Sequence, residues 1–174
     1  MKLLKIKFIS IIILIFFVTC SLLFVFCGYG YKKIAITYAK RYNVEVELVI
    51  ATIKVESNFN KNSLSPKGAI GLMQILPTTA DYINDKLNYS TEIDLYNPKT
   101  NIEFGTYYLS YLLDKFKSED IAICAYNAGE GTVIKWGLTK GFSTNKIKYK
   151  ETLQYYKKVK FYKKLYGIVN YDKQ

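Results

Sequence analysis

Residues 49–80 read VIATIKVESNFNKNSLSPKGAIGLMQILPTTA. Extended upstream, this stretch has apolar residues at 46, 48, 49, 50, 51, 53 and 55, which leaves almost no polar face. A helix of that pattern is surrounded by protein rather than laid on a surface. The spacing therefore predicts a central helix that ends in one carboxylate, Glu56. At its C-terminal end the helix dipole opposes an anion and apolar neighbours withhold water, so both effects favour the protonated acid. After Glu56 the chain turns polar, through Ser57, Asn58, Asn60, Asn62, Ser63 and Ser65. Gly68 and Gly71 then bracket a small-residue turn leading into Met73 and Gln74. An acid delivered by an apolar rod into a loop of hydrogen-bonding groups suits protonation of a polar substrate, with sugar as the leading candidate.

The whole chain has 174 residues, 50% apolar and 16% aromatic, which is material for one packed domain rather than two. It has no histidine, so Ser-His and Cys-His nucleophiles and His-ligated metals are excluded. Cys20, Cys27 and Cys124 offer neither a disulfide framework nor zinc spacing, and no metal or cofactor is expected. Lys and Arg number 25 against 14 Asp and Glu. The basic excess sits late, from Lys146 to Lys164, interleaved with Tyr149, Tyr155, Tyr156, Phe161 and Tyr162. Such a pattern can mark nucleic-acid binding. Nucleic acid is nevertheless not expected as a partner, because the N-terminus places the domain outside the cell, where anionic headgroups and acidic wall polymers are the polyanions.

Lys2, Lys5 and Lys7 precede Phe8–Cys27, twenty residues without a charge. A helix of that length spans about 30 Å, the thickness of a bilayer core. A cleaved signal peptide would have a shorter apolar run ending in small residues. At Cys20, bulky Val18 and continuing apolar sequence argue against lipidation. The expectation is an uncleaved single-pass anchor with its lysines cytoplasmic and everything from about Gly28 outside. This gives two units: 1–30 as tip, anchor and link, and 31–174 as the functional domain.

Downstream, 32–41 is predicted helical, and Asn43 is the expected N-cap of the central helix. Pro77 begins another helix, and Asn97–Pro98 is a cap followed by proline at the first helical position. The helix after Pro98 aligns Ile102, Gly105, Leu109, Leu112, Leu113 and Phe116. Glycine in mid-helix costs about 1 kcal/mol relative to alanine, which points to close packing against another helix. Ser118 caps a small-residue helix stopped by Gly129, a short helix covers 132–136, 141–145 is a loop, and 149–166 forms the last helix. No segment has strand periodicity, although 65–75 has room for a short hairpin.

Five ordered blocks resemble the lytic transglycosylases, bacterial murein-cleaving enzymes related to goose-type lysozyme. They are ESNF at Glu56, SPKGAIGLMQILPTTA from Ser65, NPKTNIEFGTYYL from Asn97, AYNAG from Ala125 and ETLQYYKKV from Glu151. The resemblance implies a mostly α, lysozyme-like fold with a glycan groove and at most a small β element. It also implies an enzyme acting on peptidoglycan strands, alongside cell-wall or envelope machinery. By position Glu56 matches the catalytic acid and base. Ser65, Gln74, Tyr126, Asn127 and Tyr155 match saccharide-site positions, and Ser57 and Met73 match the serine and methionine of their motifs. Leu76 stands where some relatives carry methionine.

The chemistry can also be read from the residues. Glycosidases usually employ two carboxylates, but this sequence offers one in a suitable setting. The nucleophile then comes from water or from the substrate. The C6 hydroxyl of muramic acid can close on its own C1, and such intramolecular attack reaches effective molarities of about 10⁵ M or more. The expected product is a 1,6-anhydro sugar, with Glu56 acting first as acid and then as base, and with Gln74, Asn127 or Tyr126 holding the N-acetyl group. A hydrolytic muramidase of the same fold is the alternative, and a wall-binding module without catalysis is a more distant one.

Overall fold

A computed structural model describes residues 11, 12, 15, 30–89 and 93–168. Its helices are α1 (30–41), α2 (Val46–Ser57), α3 (Pro77–Leu87), α4 (Pro98–Phe116), α5 (Glu119–Ala128), α6 (Glu130–Lys135) and α7 (Lys150–Ile168). Single 3-10 turns occupy Leu138–Lys140 and Thr144–Lys146, where a plain loop is expected at 141–145. Among the described residues no strand forms. The expected hairpin is reduced to isolated antiparallel bridges, Leu64 with Ile70 and Ile70 with Ile75. The expected anchor at Phe8–Cys27 lies almost wholly outside the described residues, and among those described no helix is long and apolar enough to cross a membrane.

Helix starts follow the local chemistry. The Asn97 side chain accepts from the Lys99 N–H at 2.9 Å with Pro98 next to it, and Ser118 accepts from the Ile121 N–H at 3.4 Å. The start of α2 differs from expectation. Asn43 takes a left-handed φ of 53°, while the Val44 N–H reaches Ala39 O at 2.9 Å and the Asn43 N–H points to Lys40 O at 3.5 Å. That is a Schellman closure of α1. Asn43 is thus spent on ending α1, and Glu45 takes the N-cap of α2 without a side-chain cap bond.

As its apolar run predicts, α2 is central: Leu48, Val49, Ile50, Ala51 and Ile53 are at most 1% exposed. Its most extensive helix contact is with α7, and α5 packs on both α4 and α7. A second small core gathers around Cys124, Trp136, Leu112 and Leu138, so the cysteine and tryptophan are packing residues. Lys160 and Lys163 of α7 meet Glu119 of α5, and Lys163 also reaches Glu45 at 2.9 Å, which ties α7 to α5 and to the start of α2. On the opposite side, Arg41 and Tyr42 close on Glu103 of α4 at 2.6 and 3.0 Å.

Gly105 does allow close approach, but to a loop rather than to a helix. A Cβ there would lie 2.5 Å from Met73 Sδ. The thioether of Met73 fills the notch, and the loop carrying it is drawn onto α4.

Candidate active site

The site is assembled from the end of α2, the loop 58–76, the end of α5 and the start of α7. At the end of α2 the chain enters left-handed backbone twice in succession, with Asn58 at φ 51° and Phe59 at φ 65°. A bulky residue there carries strain on the order of 1–2 kcal/mol. Burial of the Phe59 ring, 7% exposed, offsets it. The reversal turns the loop back over the helix end, so that Glu56 is the last acidic group before the chain leaves.

The loop is held from below by one side chain. Asn101 of α4, 1% exposed, donates to Ile70 O and Leu95 O at 2.8 Å each and accepts from the Met73 N–H at 2.7 Å. Its bonds pair the Met73 N–H and Leu95 O and add a second donor to Ile70 O, which already accepts from the Ile75 N–H at 3.0 Å. Gly71 is required beside it: φ is +79°, and a Cβ would meet Leu95 O at 2.5 Å. Asn101 stands within the NPKTNIEFGTYYL block, outside the residues expected to meet the glycan. Its signal was present, since it shares the buried stripe of Gly105 and Leu109, where a polar residue must have partners.

Glu56 keeps part of its side chain at the surface, while its carboxyl is surrounded by protein on nearly all sides. Burial pushes it up to about 7, a hydrogen bond from the Tyr155 phenol pulls the other way, and the negative charge of Glu151 adds a further upward push. Tyr155 and Tyr126 are both raised well above the ordinary phenol value, by burial first and then by the charge of Glu56. They therefore stay neutral hydrogen-bond donors. Tyr155, 7% exposed, faces inward, while neighbouring Tyr156 turns to Asp120 at 3.1 Å.

The other expected residues divide into two groups. Tyr126 joins the acid's surroundings and donates to Met73 O at 2.9 Å. Asn127 follows it, its Oδ1 accepting from the Thr152 hydroxyl at 2.7 Å. Thr152 is a residue the sequence reading passed over, and this bond links α5 to the turn of α7 that carries Tyr155. Ser57, Ser65, Met73 and Gln74 have side chains engaged in building the wall. The Ser57 hydroxyl is committed to backbone carbonyls, the nearer being Leu72 O at 2.8 Å. Ser65 Oγ accepts from the Ala69 N–H at 3.0 Å, and Met73 is 0% exposed. Gln74, at φ 50°, donates to Gly71 O at 2.9 Å and Ser63 O at 3.2 Å. A surface recess of about 530 Å³ lies elsewhere, at the ion pairs of Glu45, Glu119 and Lys163. Glu45, Glu119, Lys160 and Lys163 there are already paired with one another, so chemistry points to Glu56 rather than to volume.

This arrangement offers one protonatable acid at a near-neutral value, two neutral phenols and a rigid loop. The model of the family described as Transglycosylase SLT domain matches residues 33–149. The chain belongs to the SLT transglycosylase family. Among SLT relatives, it is 37% identical over 139 residues to a membrane-bound lytic murein transglycosylase E of Buchnera aphidicola, covering 71% of this chain and 66% of that one. It is 34% identical over 154 residues to the soluble lytic murein transglycosylase of Escherichia coli, covering 83% and 24%. The solved 70 kDa soluble lytic transglycosylase of E. coli superposes with a TM-score of 0.74 at 32% identity, over 80% of this chain and 24% of that one. A 70 kDa soluble lytic transglycosylase in complex with bulgecin A gives 0.75. The fold is thus the mostly helical SLT fold, and the chain spans two thirds or less of the relatives' own lengths.

Proposed function

We propose that this protein is a membrane-anchored peptidoglycan lytic transglycosylase that cleaves the β-1,4 bond between MurNAc and GlcNAc and leaves a 1,6-anhydro-MurNAc end. The observation that carries the reading is a lone carboxyl, Glu56, held near neutrality by burial and bonded by Tyr155. An acid at about 7 has both protonation states accessible at physiological pH, as a group that acts twice requires. First, Glu56 gives its proton to the glycosidic oxygen as the C1–O bond breaks. The resulting carboxylate then takes the proton of the C6 hydroxyl as O6 bonds to C1, which regenerates the acid. Tyr155 holds the carboxylate phase by donation, Tyr126, whose single O–H goes to Met73 O, forms the wall beside it, and Asn127, Gln74 and Ser65 supply polar groups along the glycan. The relatives support the substrate class, since those named above are lytic murein transglycosylases. A solved Pseudomonas aeruginosa relative is described as inactive after a Glu-to-Gln change, in keeping with one indispensable glutamate.

The anchor is Phe8–Cys27, and residues 31–174 form the catalytic domain, facing the wall. Purified murein digested with the full chain tests the reading by mass spectrometry. Products lighter by one water than reducing-end fragments are expected. Reducing ends alone would make the protein a hydrolytic muramidase, and undigested murein would leave only a binding module.

A further inference from the structure

Four tyrosine rings form a row leading away from the acid. Tyr126, Tyr108, Tyr111 and Tyr82 follow one another with ring centroids 5.6, 6.1 and 5.8 Å apart. The first ring shares the surroundings of Glu56. The last is 37% exposed and lies at the surface. Tyr82, Tyr108 and Tyr111, together with Thr78, Thr79 and Glu130, line a recess of about 200 Å³. The row ends at the surface beside two hydroxyls and a carboxylate.

The polar end is fixed in place. Glu130 Oε2 accepts from the Tyr111 hydroxyl at 3.0 Å and from Lys115 Nζ at 2.8 Å, and the two donors hold the carboxyl below its ordinary range. Among the described residues Oε1 has no donor, and 40% of the Glu130 side chain is open to solvent. Lys86 Nζ sits 5.5 Å from the Tyr82 centroid and steadies that ring. A flat ring beside hydroxyl groups and an oriented carboxylate is complementary to a pyranose, which has an apolar C–H face and equatorial hydroxyl donors at its edge.

We infer that the Tyr82–Tyr111–Glu130 recess binds a saccharide unit of the glycan strand, three ring-to-ring steps beyond the acid's own surroundings. The inference rests on the glycan-cleaving reading of Glu56 and adds a preference for long strands. The unit held there is remote from the bond that breaks, so its binding free energy positions the strand.

The test uses the full chain carrying Glu56→Gln, so that no turnover occurs, titrated calorimetrically with β-1,4-linked N-acetylglucosamine oligomers from dimer to octamer. Affinity is expected to climb from the short to the long oligomers. Adding Tyr82→Ala should lower affinity for the longest oligomer by roughly two- to tenfold, the range for one aromatic contact, with little change for the dimer. Tyr82→Phe should keep the climb. Equal loss at every length, no loss at any length, or no binding of any oligomer overturns the inference. Murein digestion by the chain with native Glu56 separately decides the glycan-cleaving reading, so the two can fail independently.

Discussion

Glu103 and Glu56 are both glutamates withdrawn from water, and their neighbours give them opposite roles. Glu103, in the body of α4 and 6% exposed, takes a guanidinium N–H from Arg41 at 2.6 Å and a phenol from Tyr42 at 3.0 Å on the same oxygen. Its charge is compensated, and the pair ties α1 to α4. Glu56, at the end of α2, has a phenol from Tyr155, and the charged group acting on it among the described residues is another carboxylate, Glu151. Burial alone therefore does not make an acid reactive. Burial without a cation leaves the neutral form competing with the anion near pH 7, which is the state the proposed chemistry requires.

The largest effect should come from removing the uncompensated acid. Glu56→Gln is expected to lower murein cleavage by about 10²- to 10⁴-fold, the usual range for a general acid and base, as read from solubilised fragments. Wild-type-like cleavage would end the comparison. Breaking the compensated acid should do the reverse. Arg41→Ala leaves a buried carboxylate without its cation and should lower the midpoint of chemical unfolding, an effect tempered because Arg41 is itself 56% exposed. Its activity at low temperature should be retained.

The same Glu56→Gln change has a second, pH-dependent signature. The folded-state value of Glu56 lies above its ordinary 4.5, at about 7. Ionisation therefore opposes folding, and wild-type stability falls as pH rises through that interval. The variant should match wild type below pH 4.5 and exceed it by roughly 1–3 kcal/mol above pH 7. An equal stability difference at both ends would show that Glu56 is not shifted.

Smaller effects sharpen the picture further. Tyr155→Phe removes the bond that favours the ionised acid, so the alkaline limb of the activity profile should move up by about half to one pH unit. Glu151→Gln removes an upward push and should move that limb down by less. Glu151 is an exposed side chain, 4.0 Å from Lys67, so the shift should fade as salt is added.

Much of this site was legible because it is local. The apolar run to Glu56, the Asn97–Pro98 and Ser118 caps and the glycine after α5 each act within one or two turns of chain, and the helices follow them. The inward choice between Tyr155 and Tyr156 was not local, because it depends on Asp120 standing across the α5–α7 seam to receive Tyr156. Asn43 closes α1 instead of capping α2 for a similar reason. One residue cannot both close α1 in left-handed backbone and cap α2, and a sequence pattern does not say which helix claims it. The expected partner of Gly105 was a helix, yet the residue that fills its notch, Met73, lies 32 positions upstream in an irregular loop.

The amino-acid sequence by itself determined the helical class, the central helix and the single acid at its tip, because periodicity, caps and the absence of histidine are properties of short stretches and of composition. Tertiary structure alone decided what surrounds that acid. Asn101 anchors the loop, Thr152 meets Asn127, and Tyr155 and Tyr126 converge on Glu56 across long separations in sequence. The state of a buried carboxyl depends on which dipoles and charges stand within a few ångströms of it, and those neighbours are chosen by packing.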